Sequence, residues 1–411
     1  MFSISKNLDK NLKLAALSGF LVLMSSKGWL EGRLGMNPSL IIYSLFCFLF
    51  FFFRKEIYLY LDSKIRSNFF SLDFLIIFFL IFHSIINLSI SIHALSFSVL
   101  FIFFSSIIFS DKKQNIDILL ESLLIAAVIS LGGVLIGLFE GLIGTTTKFI
   151  TLEPQNYPNP MIGVFNSIFE TNWKYQISGF HISINYTAYV LIAGLAGLVA
   201  LSELKKISML KYFIVTMFIL GLILSQAKVG YLFLTFLVIR FFLDHKYKFL
   251  ILVITGYVIL THLTINNSDV FISNSHYFRS ILFSLGEYDF YLSFFSWLKI
   301  SAFEYLNSTL WFFGNYDDFV KIIDADPHSF WVSVLLIGGP ITTLLLLIKF
   351  IKSERQYREN SKNESAILFA AYYTFIVESF TWDALDAPIF WIIFLMIPAI
   401  ILRVNKKNMA T

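Results

Sequence analysis

The chain has 411 residues, of which 57% are hydrophobic, 14% are charged and 48 are phenylalanine. An ordinary soluble domain carries about a quarter charged residues. This composition therefore excludes a soluble protein and makes lipid the solvent for most of the apolar surface. The net charge of +4 does not indicate a nucleic-acid partner, because the basic residues are spread between apolar runs and form no single basic patch.

Continuous apolar runs recur along the whole chain, and each is predicted to be a transmembrane helix. Such a helix needs about 20 mostly apolar residues, and runs such as LDFLIIFFLIF at 72–82 lack the alternation of a transmembrane barrel strand. The fold is therefore predicted to be all-α, a polytopic membrane protein that forms a single domain over residues 1–411, with about twelve transmembrane helices. The predicted spans are 13–30, 38–53, 70–88, 92–110, 117–138, 183–201, 209–226, 229–243, 248–265, 329–350, 365–382 and 388–403.

Along this topology, loops that are rich in lysine and arginine alternate with loops that are poor in them. Most of the 31 fall on one side, which the positive-inside rule assigns to the cytoplasm, so both termini are predicted to be cytoplasmic. The segments on that side are 1–13, 54–68, 111–116, 203–211, 240–248, 349–363 and 403–407. The exceptions are Lys27, Arg33, Lys148, Lys174, Lys228, Arg279, Lys299 and Lys321.

Two segments, 140–182 and 266–328, are too long and too polar to be simple connectors, and both are predicted to lie on the exoplasmic side. Long loops on a rigid scaffold often carry function. The second separates spans nine and ten. Within it, 295–314 has helical apolar spacing with few charges and is predicted to be a helix lying in the membrane interface.

Basic residues on the exoplasmic side are candidates for binding a phosphate or diphosphate group. Arg279 lies in the second long loop, shortly after His276 and Tyr277, and all three are candidate site residues. Lys228 lies in the tight hairpin between spans seven and eight. Arginine can pair with phosphate through two parallel hydrogen bonds, and lysine supplies a point charge. The alternatives are a snorkelling lysine and a solvated loop arginine.

His328 ends the second long loop and is a candidate general base. An imidazole with an ordinary pKa of about 6.5 can accept a proton near neutral pH and return it. Asp326 is expected to orient the ring or to favour its charged form. Pro327 suits a helix start, so span ten is predicted to begin close to His328. The alternative is a helix-capping or solvated histidine with no catalytic role.

The sequence contains no Cys/His cluster at zinc-ligand spacing and no nucleotide-binding P-loop motif. Neither a metal nor another cofactor is therefore expected. Acidic residues within the predicted spans are few: Glu121, Glu140 just past its span, and Glu378. Glu378 lies too far toward the end of its span for the midplane position that ion-coupled transport requires.

His328 and Ser329 open the predicted tenth span, and Gly339 follows eleven residues after His328. This pattern resembles the bacterial O-antigen ligase and O-antigen polymerase superfamily. In that family a histidine ends a large periplasmic loop, Asn or Ser opens the following helix, and a glycine recurs further along it. The turn FGNYDDF at 313–319 is similar to the glycine-containing turn that precedes the histidine in relatives.

Further pieces of the resemblance lie upstream. GFHISINYTAYVL at 179–191 places Asn185 and Ala188 where relatives carry asparagine and alanine, and SQAK at 225–228 has Lys228 where arginine is usual. Relatives often place an arginine shortly before the amphipathic stretch, and it is missing in LSFFSWLKI at 292–300. Ile337 stands where relatives often carry an acidic residue.

The resemblance implies glycosyl transfer on the periplasmic face of a bacterial inner membrane. The donor would be a glycan on a polyprenyl diphosphate, and the acceptor a hydroxyl of a glycolipid or of a growing glycan. His328 would be the base, assisted by Asp326; Arg279 and Lys228 would bind the diphosphate; and Asn185, His276 and Tyr277 would contact the substrate. No metal would be needed. Ligase and polymerase stay equally open, and the rival class is a transporter or flippase of lipid-linked sugars. A silent assembly subunit is a third possibility.

Overall fold

The structure is a computed structural model, and most of the residues it describes are helical. The described residues are 2–67, 71–87, 92–110, 113–143, 151–154, 175–181, 183–204, 210–225, 227–242, 254–257, 263–266, 281–285, 288–292, 294–311, 314–360, 365–382, 387–395 and 397–398.

The chain alternates long helices with two short β-containing segments. The helices are α1 (Phe2–Leu34), α2 (Ser39–Phe52), α3 (Arg54–Ser67), α4 (Leu72–Ile86), α5 (Ile92–Phe109), α6 (Lys113–Ile143), α7 (Ile184–Leu204), α8 (Leu210–Ser225), α9 (Lys228–Phe242), α10 (Phe294–Ser308), α11 (Tyr316–Ile323), α12 (Phe330–Asn360), α13 (Ala366–Glu378) and α14 (388–395). The strands are β1 (Thr151–Pro154), β2 (Tyr175–Gly179), β3 (Leu263–Asn266), β4 (Ile281–Leu285) and β5 (Tyr288–Leu292).

Three helices among the described residues, α6, α7 and α12, are long and apolar enough to cross a membrane. Each overlaps a predicted span, at 117–138, 183–201 and 329–350. Several shorter apolar helices, including α2, α4, α5, α8 and α13, overlap others. The helical fold and the presence of membrane-length apolar helices are therefore confirmed, whereas the count of twelve spans and the cytoplasmic termini stay predictions.

The strands were not predicted, because windows of membrane-span length average over segments of four or five residues. β1 and β2 form an antiparallel pair within the predicted 140–182 loop. β5 lies between β3 and β4 and pairs antiparallel with both. β4 and β5 lie in the second loop, whereas β3 takes up the end of the predicted span 248–265, so the prediction of a membrane helix is wrong for those last residues. The predicted interfacial helix is shorter than 295–314 and corresponds to α10, and the predicted loop 54–68 is largely the helix α3.

Close helix packing positions the start of α7. A Cβ on Gly194 of α7 would lie 2.0 Å from the Ala127 Cβ of α6, so only glycine permits this approach. At the end of β2, Gly179 has φ +59°, and a Cβ there would lie 3.0 Å from the Gly133 carbonyl carbon. The turn between β2 and α7 is therefore seated directly on α6.

His181 fixes the same turn to α1 and α6. Its Nδ1–H donates to the Ser25 carbonyl at 2.9 Å, and its Nε2 accepts from the Ser130 hydroxyl at 2.7 Å. Complete burial lowers the pKa of His181 from 6.5 to about 4, so the ring is neutral at physiological pH. Neutral imidazole with one donor and one acceptor satisfies both contacts.

Helix α12 is kinked where the sequence predicted only a motif glycine. Gly339 has φ 71° and ψ −178°, and Pro340 follows it inside the helix. The His83 Nδ1–H of α4 donates to the Ile337 carbonyl at 3.1 Å, beside the kink. A Cβ on Gly339 would lie 2.7 Å from the His83 Cδ2, so both the conformation and the packing require glycine.

Lysines from segments predicted to be cytoplasmic pair with acids near the starts of two predicted spans, at one end of the helices. Asp73, at the start of α4, pairs with Lys64 of α3 at 3.2 Å and with Lys349 of α12, and accepts from the Tyr60 hydroxyl at 3.0 Å. Lys10 of α1 pairs with Glu121 of α6 at 3.4 Å.

Candidate functional site

His328 stands two residues before α12, and the first residues of α12 are held by the turn that follows α13. The Phe330 N–H donates to both the Ser379 carbonyl at 3.0 Å and the Trp382 carbonyl at 2.8 Å. The Trp331 indole donates to the Ser379 hydroxyl at 2.9 Å. His328 itself has φ +45°, a conformation that L-residues seldom adopt and that the surrounding contacts must maintain. The prediction that a helix begins close to His328 is therefore confirmed.

Asp326 links His328 to two further aromatic residues. The Tyr316 hydroxyl donates to the Asp326 carboxylate at 3.0 Å, and the Tyr316 ring packs on His93 of α5 with their centroids 4.5 Å apart. The amino end of α11, where Tyr316 lies, is capped by Asn315, whose side chain accepts from the Asp317 N–H at 2.9 Å. Asp326 is exposed and His328 is half-buried.

The electrostatic surroundings favour neutral His328. Burial is the largest cause and lowers the pKa of His328 below its ordinary value; the Asp326 carboxylate opposes this shift, and the Lys299 ammonium adds to it. A neutral imidazole is the form that can accept a proton. The structure thus brings the two predicted residues, His328 and Asp326, into electrostatic contact.

Lys299 on α10 is a site residue that the sequence reasoning missed. Burial lowers the pKa of Lys299 from 10.5 to about 8, which leaves it mostly charged at neutral pH, and its charge reaches His328. Its position in LSFFSWLKI could have pointed to it, because the family that the sequence resembles often carries an arginine near this stretch.

Glu378, at the last residue of α13, is the centre of a buried polar cluster. Its carboxylate accepts from the Tyr189 hydroxyl of α7 at 2.7 Å, from the Thr381 hydroxyl at 3.0 Å and from the Tyr257 hydroxyl. The charge of Lys228 also reaches it. The sequence reasoning placed Glu378 correctly near the end of its helix but assigned it no role, because its partners are distant in the chain.

The cluster joins pieces of sequence that the resemblance singled out separately. Lys228 is the first residue of α9 and is exposed, and Asn185 is exposed on the first turn of α7. Tyr189, one turn further along α7, stacks on Trp382 with ring centroids 3.9 Å apart. The segments that carry Asn185, Lys228 and His328 therefore meet around Glu378 and the turn that follows it.

A cavity of about 630 Å³ lies beside this cluster, between α1, α2, α5 and the start of α7. Tyr186, Tyr189 and Trp382 form one wall, and His93 lies at its rim. The cavity thus contacts the Glu378 cluster through Tyr189 and Trp382. On its other side His93 packs on Tyr316, which is the residue that donates to Asp326.

Three predicted site residues, Arg279, His276 and Tyr277, lie outside the described residues, and their roles stay predictions. In the part of the chain that the structure describes, no three His, Cys, Asp or Glu side chains are grouped closely enough to hold a metal ion.

Comparison of the chain with protein-family models, with curated proteins and with solved structures gave no match.

Proposed function

We propose that this protein is a membrane glycosyltransferase that moves a glycan from a polyprenyl diphosphate to a hydroxyl acceptor at the exoplasmic membrane surface. The observation that carries the proposal is the placement of His328. It is kept neutral by burial, faces a carboxylate and an ammonium group, and is connected to a cavity through Asp326, Tyr316 and His93.

The proposed reaction needs a base, a stabilised leaving group and no nucleotide. His328 takes the proton from the acceptor hydroxyl, the hydroxyl oxygen bonds to the anomeric carbon of the donor, and the bond from that carbon to the diphosphate oxygen breaks. The diphosphate leaves with the negative charge. Lys299, with Lys228 and Arg279, is suited to stabilise this charge as it develops.

Asp326 is proposed to orient the imidazole and to stabilise it once it is protonated. The carboxylate raises the pKa of His328 against the larger effect of burial. The proposal places the protein in a bacterial inner membrane with the site facing the periplasm. It leaves open whether the acceptor is a lipid-linked chain, as in a polymerase, or the sugar core of lipopolysaccharide, as in a ligase.

The experiment that tests the proposal compares glycolipids of cells with and without the gene. Long glycans lost from lipopolysaccharide but retained on the polyprenyl carrier indicate a ligase, and a collapse to single repeat units indicates a polymerase. If both pools are unchanged in cells that express the protein, the proposal is wrong.

A second candidate, transport of a lipid-linked sugar, is favoured by one observation, the buried carboxylate of Glu378. A buried acid in a helical membrane protein can mark an ion or substrate pathway. Against this, Glu378 already accepts from three hydroxyl groups, which gives it a structural explanation. Covalent change of the glycan by the purified protein would exclude a pure transporter.

A further inference from the structure

The cavity beside the site has a polar mouth at one end of the helices. α1 reaches this mouth at its carboxyl end, whereas α2 and α5 reach it at their amino ends. The residues that line the mouth are Lys27, Glu31, Ser39, His93 and Ser96. This set supplies a cation, a carboxylate, hydroxyls and an imidazole within one opening.

The opposite end of the cavity is closed by aromatic rings. Phe46 of α2 stacks on Phe20 of α1 with centroids 5.2 Å apart, and it packs on Phe103 of α5 at 5.6 Å. From Ser39 at the mouth to Phe46 at the floor, α2 makes about two turns, or roughly 10 Å of depth. The side chains of α1, α2 and α5 that line the cavity are thus polar at the mouth and apolar at the floor.

Exposed side chains of two helices form one side of the cavity. Tyr43 of α2 and Leu95 of α5 both line it, and they are 62% and 57% exposed. Deeper in the protein the same two helices touch through Phe46 and Phe103. Since α2 and α5 are predicted to cross the membrane, this exposed side is expected to give a lateral route into the cavity between the two helices.

We infer that this cavity binds the first prenyl units of the lipid-linked donor, with the diphosphate at the polar mouth. The inference rests on the proposed function. A polar mouth over an apolar floor, open to lipid, fits an amphiphile with one hydrocarbon tail. Lys27 faces the diphosphate, and Glu31 accepts hydrogen bonds from hydroxyls of the first sugar.

The chemistry of the two substrates decides between donor and acceptor. In the donor, only a diphosphate separates the reacting sugar carbon from the hydrocarbon. In the acceptor, sugars separate the reacting hydroxyl from its lipid. His93 lines the apolar cavity and packs on Tyr316, which donates to Asp326. A cavity on this side of the Asp326–His328 pair therefore suits the donor, because only in the donor must hydrocarbon lie near the base.

Photolabelling of the full chain in nanodiscs tests the inference. The probe is farnesyl diphosphate that carries a benzophenone on its tail, and adducts are mapped by mass spectrometry. We expect adducts on cavity residues of α2 or α5. Unlabelled farnesyl diphosphate should displace the probe, and excess phosphatidylglycerol or inorganic diphosphate should not. Equal displacement by phosphatidylglycerol would show a site for ordinary bilayer lipids and would overturn the inference. Displacement by inorganic diphosphate would show a site for the anion without the tail and would also overturn it.

Matched substitutions on α5 make the test specific. Ser96→Trp fills the cavity and should reduce labelling by about tenfold or more. Ser98→Trp introduces the same ring on the same helix at a half-buried position that does not line the cavity, and should label like the unaltered protein. Equal labelling of the two variants would overturn the inference. Leu95 lines the cavity but is exposed, so Leu95→Trp should narrow the cavity without disturbing the core. Its labelling replaces that of Ser96→Trp if the latter variant fails to fold.

Activity measured on the same preparations separates this inference from the proposed function. Specific cavity labelling in a protein that transfers no glycan would overturn the function and leave the binding site standing. Glycan transfer by a protein whose cavity is not labelled would support the function and overturn the site.

Discussion

The two ends of the helices use charge in different ways. At the paired end, formed by Lys10, Lys64, Asp73, Glu121 and Lys349, acids and lysines from different helices neutralise one another. At the cavity end, formed by the Glu378 cluster, the Asp326–His328 pair and the cavity mouth, Glu378 and Asp326 accept from neutral hydroxyl groups.

This difference indicates that the paired end stabilises the helix packing and that the cavity end is suited to binding. Ion pairs between helices satisfy their own charges and hold the helices together. At the cavity end the carboxylates accept from tyrosine hydroxyls, and Lys27 and Lys228 bring positive charge to the same region. Changes at the paired end should therefore reduce stability, and changes at the cavity end should reduce activity first.

The largest effect is expected from His328→Asn at the cavity end. Asparagine tolerates the positive φ of this position but cannot act as the base, so glycan transfer should fall by about 10²–10⁴-fold. Transfer is measured with purified protein, and the melting temperature in detergent should stay close to that of the unaltered protein. Full transfer by this variant would remove His328 from the mechanism.

Asp73→Leu at the paired end should mainly affect stability. It leaves Lys64 and Lys349 without their shared carboxylate, and loss of one partner from a buried ion pair costs about 3–5 kcal/mol. Thermal unfolding in detergent measures this, and transfer per folded molecule should not change. Adding Lys349→Met should recover part of the stability, because it removes one of the two uncompensated charges.

Glu378→Leu tests whether the buried carboxylate positions the site. It leaves the hydroxyls of Tyr189, Tyr257 and Thr381 without their acceptor, at a cost of about 1–3 kcal/mol for a buried unsatisfied group. Glu378→Gln keeps the shape and an acceptor oxygen, so it should retain most of the stability and of the transfer. Loss of transfer in a stable Gln variant would instead indicate that the negative charge itself is used.

Helix α12 runs from the cavity end to the paired end and is kinked at Gly339. Gly339→Ala tests how much this kink matters for stability. The positive φ costs about 1–3 kcal/mol for a residue with a side chain, and the added methyl group would contact His83. The matched control is Gly132→Ala on α6, where a Cβ meets nothing within 4 Å. Melting temperatures should fall for Gly339→Ala and not for the control; equal values would mean that the kink has little energetic role.

The smallest effect concerns the pH profile of transfer. His328 must be neutral to act as a base, so activity should fall as the pH falls through its pKa, which lies below 6.5. Lys299→Gln removes a cause that lowers this pKa, so the acid limb should move to higher pH. Asp326→Asn removes a cause that raises it, so the limb should move to lower pH. Shifts in the same direction would contradict the electrostatic assignment.

Local signals were sufficient for several features of the site. Pro327 predicted a helix start at His328, because proline fixes φ and needs no N–H donor at the first turn. The apolar runs at 117–138, 183–201 and 329–350 predicted membrane-length helices, because hydropathy depends only on the residues of one segment. Asp326 was placed beside His328 by adjacency alone.

By itself, the sequence predicted a lipid environment, the apolar helices and the helix start close to His328, since each follows from neighbouring residues. Only the tertiary structure decided which polar groups meet. Tyr189 and Glu378 are 189 residues apart, and His83 and Ile337 are 254 apart. The position of Lys299 near His328 and the existence of the cavity also became visible only in the tertiary structure. Such contacts depend on how helices pack against one another, which no local pattern of hydropathy or charge encodes.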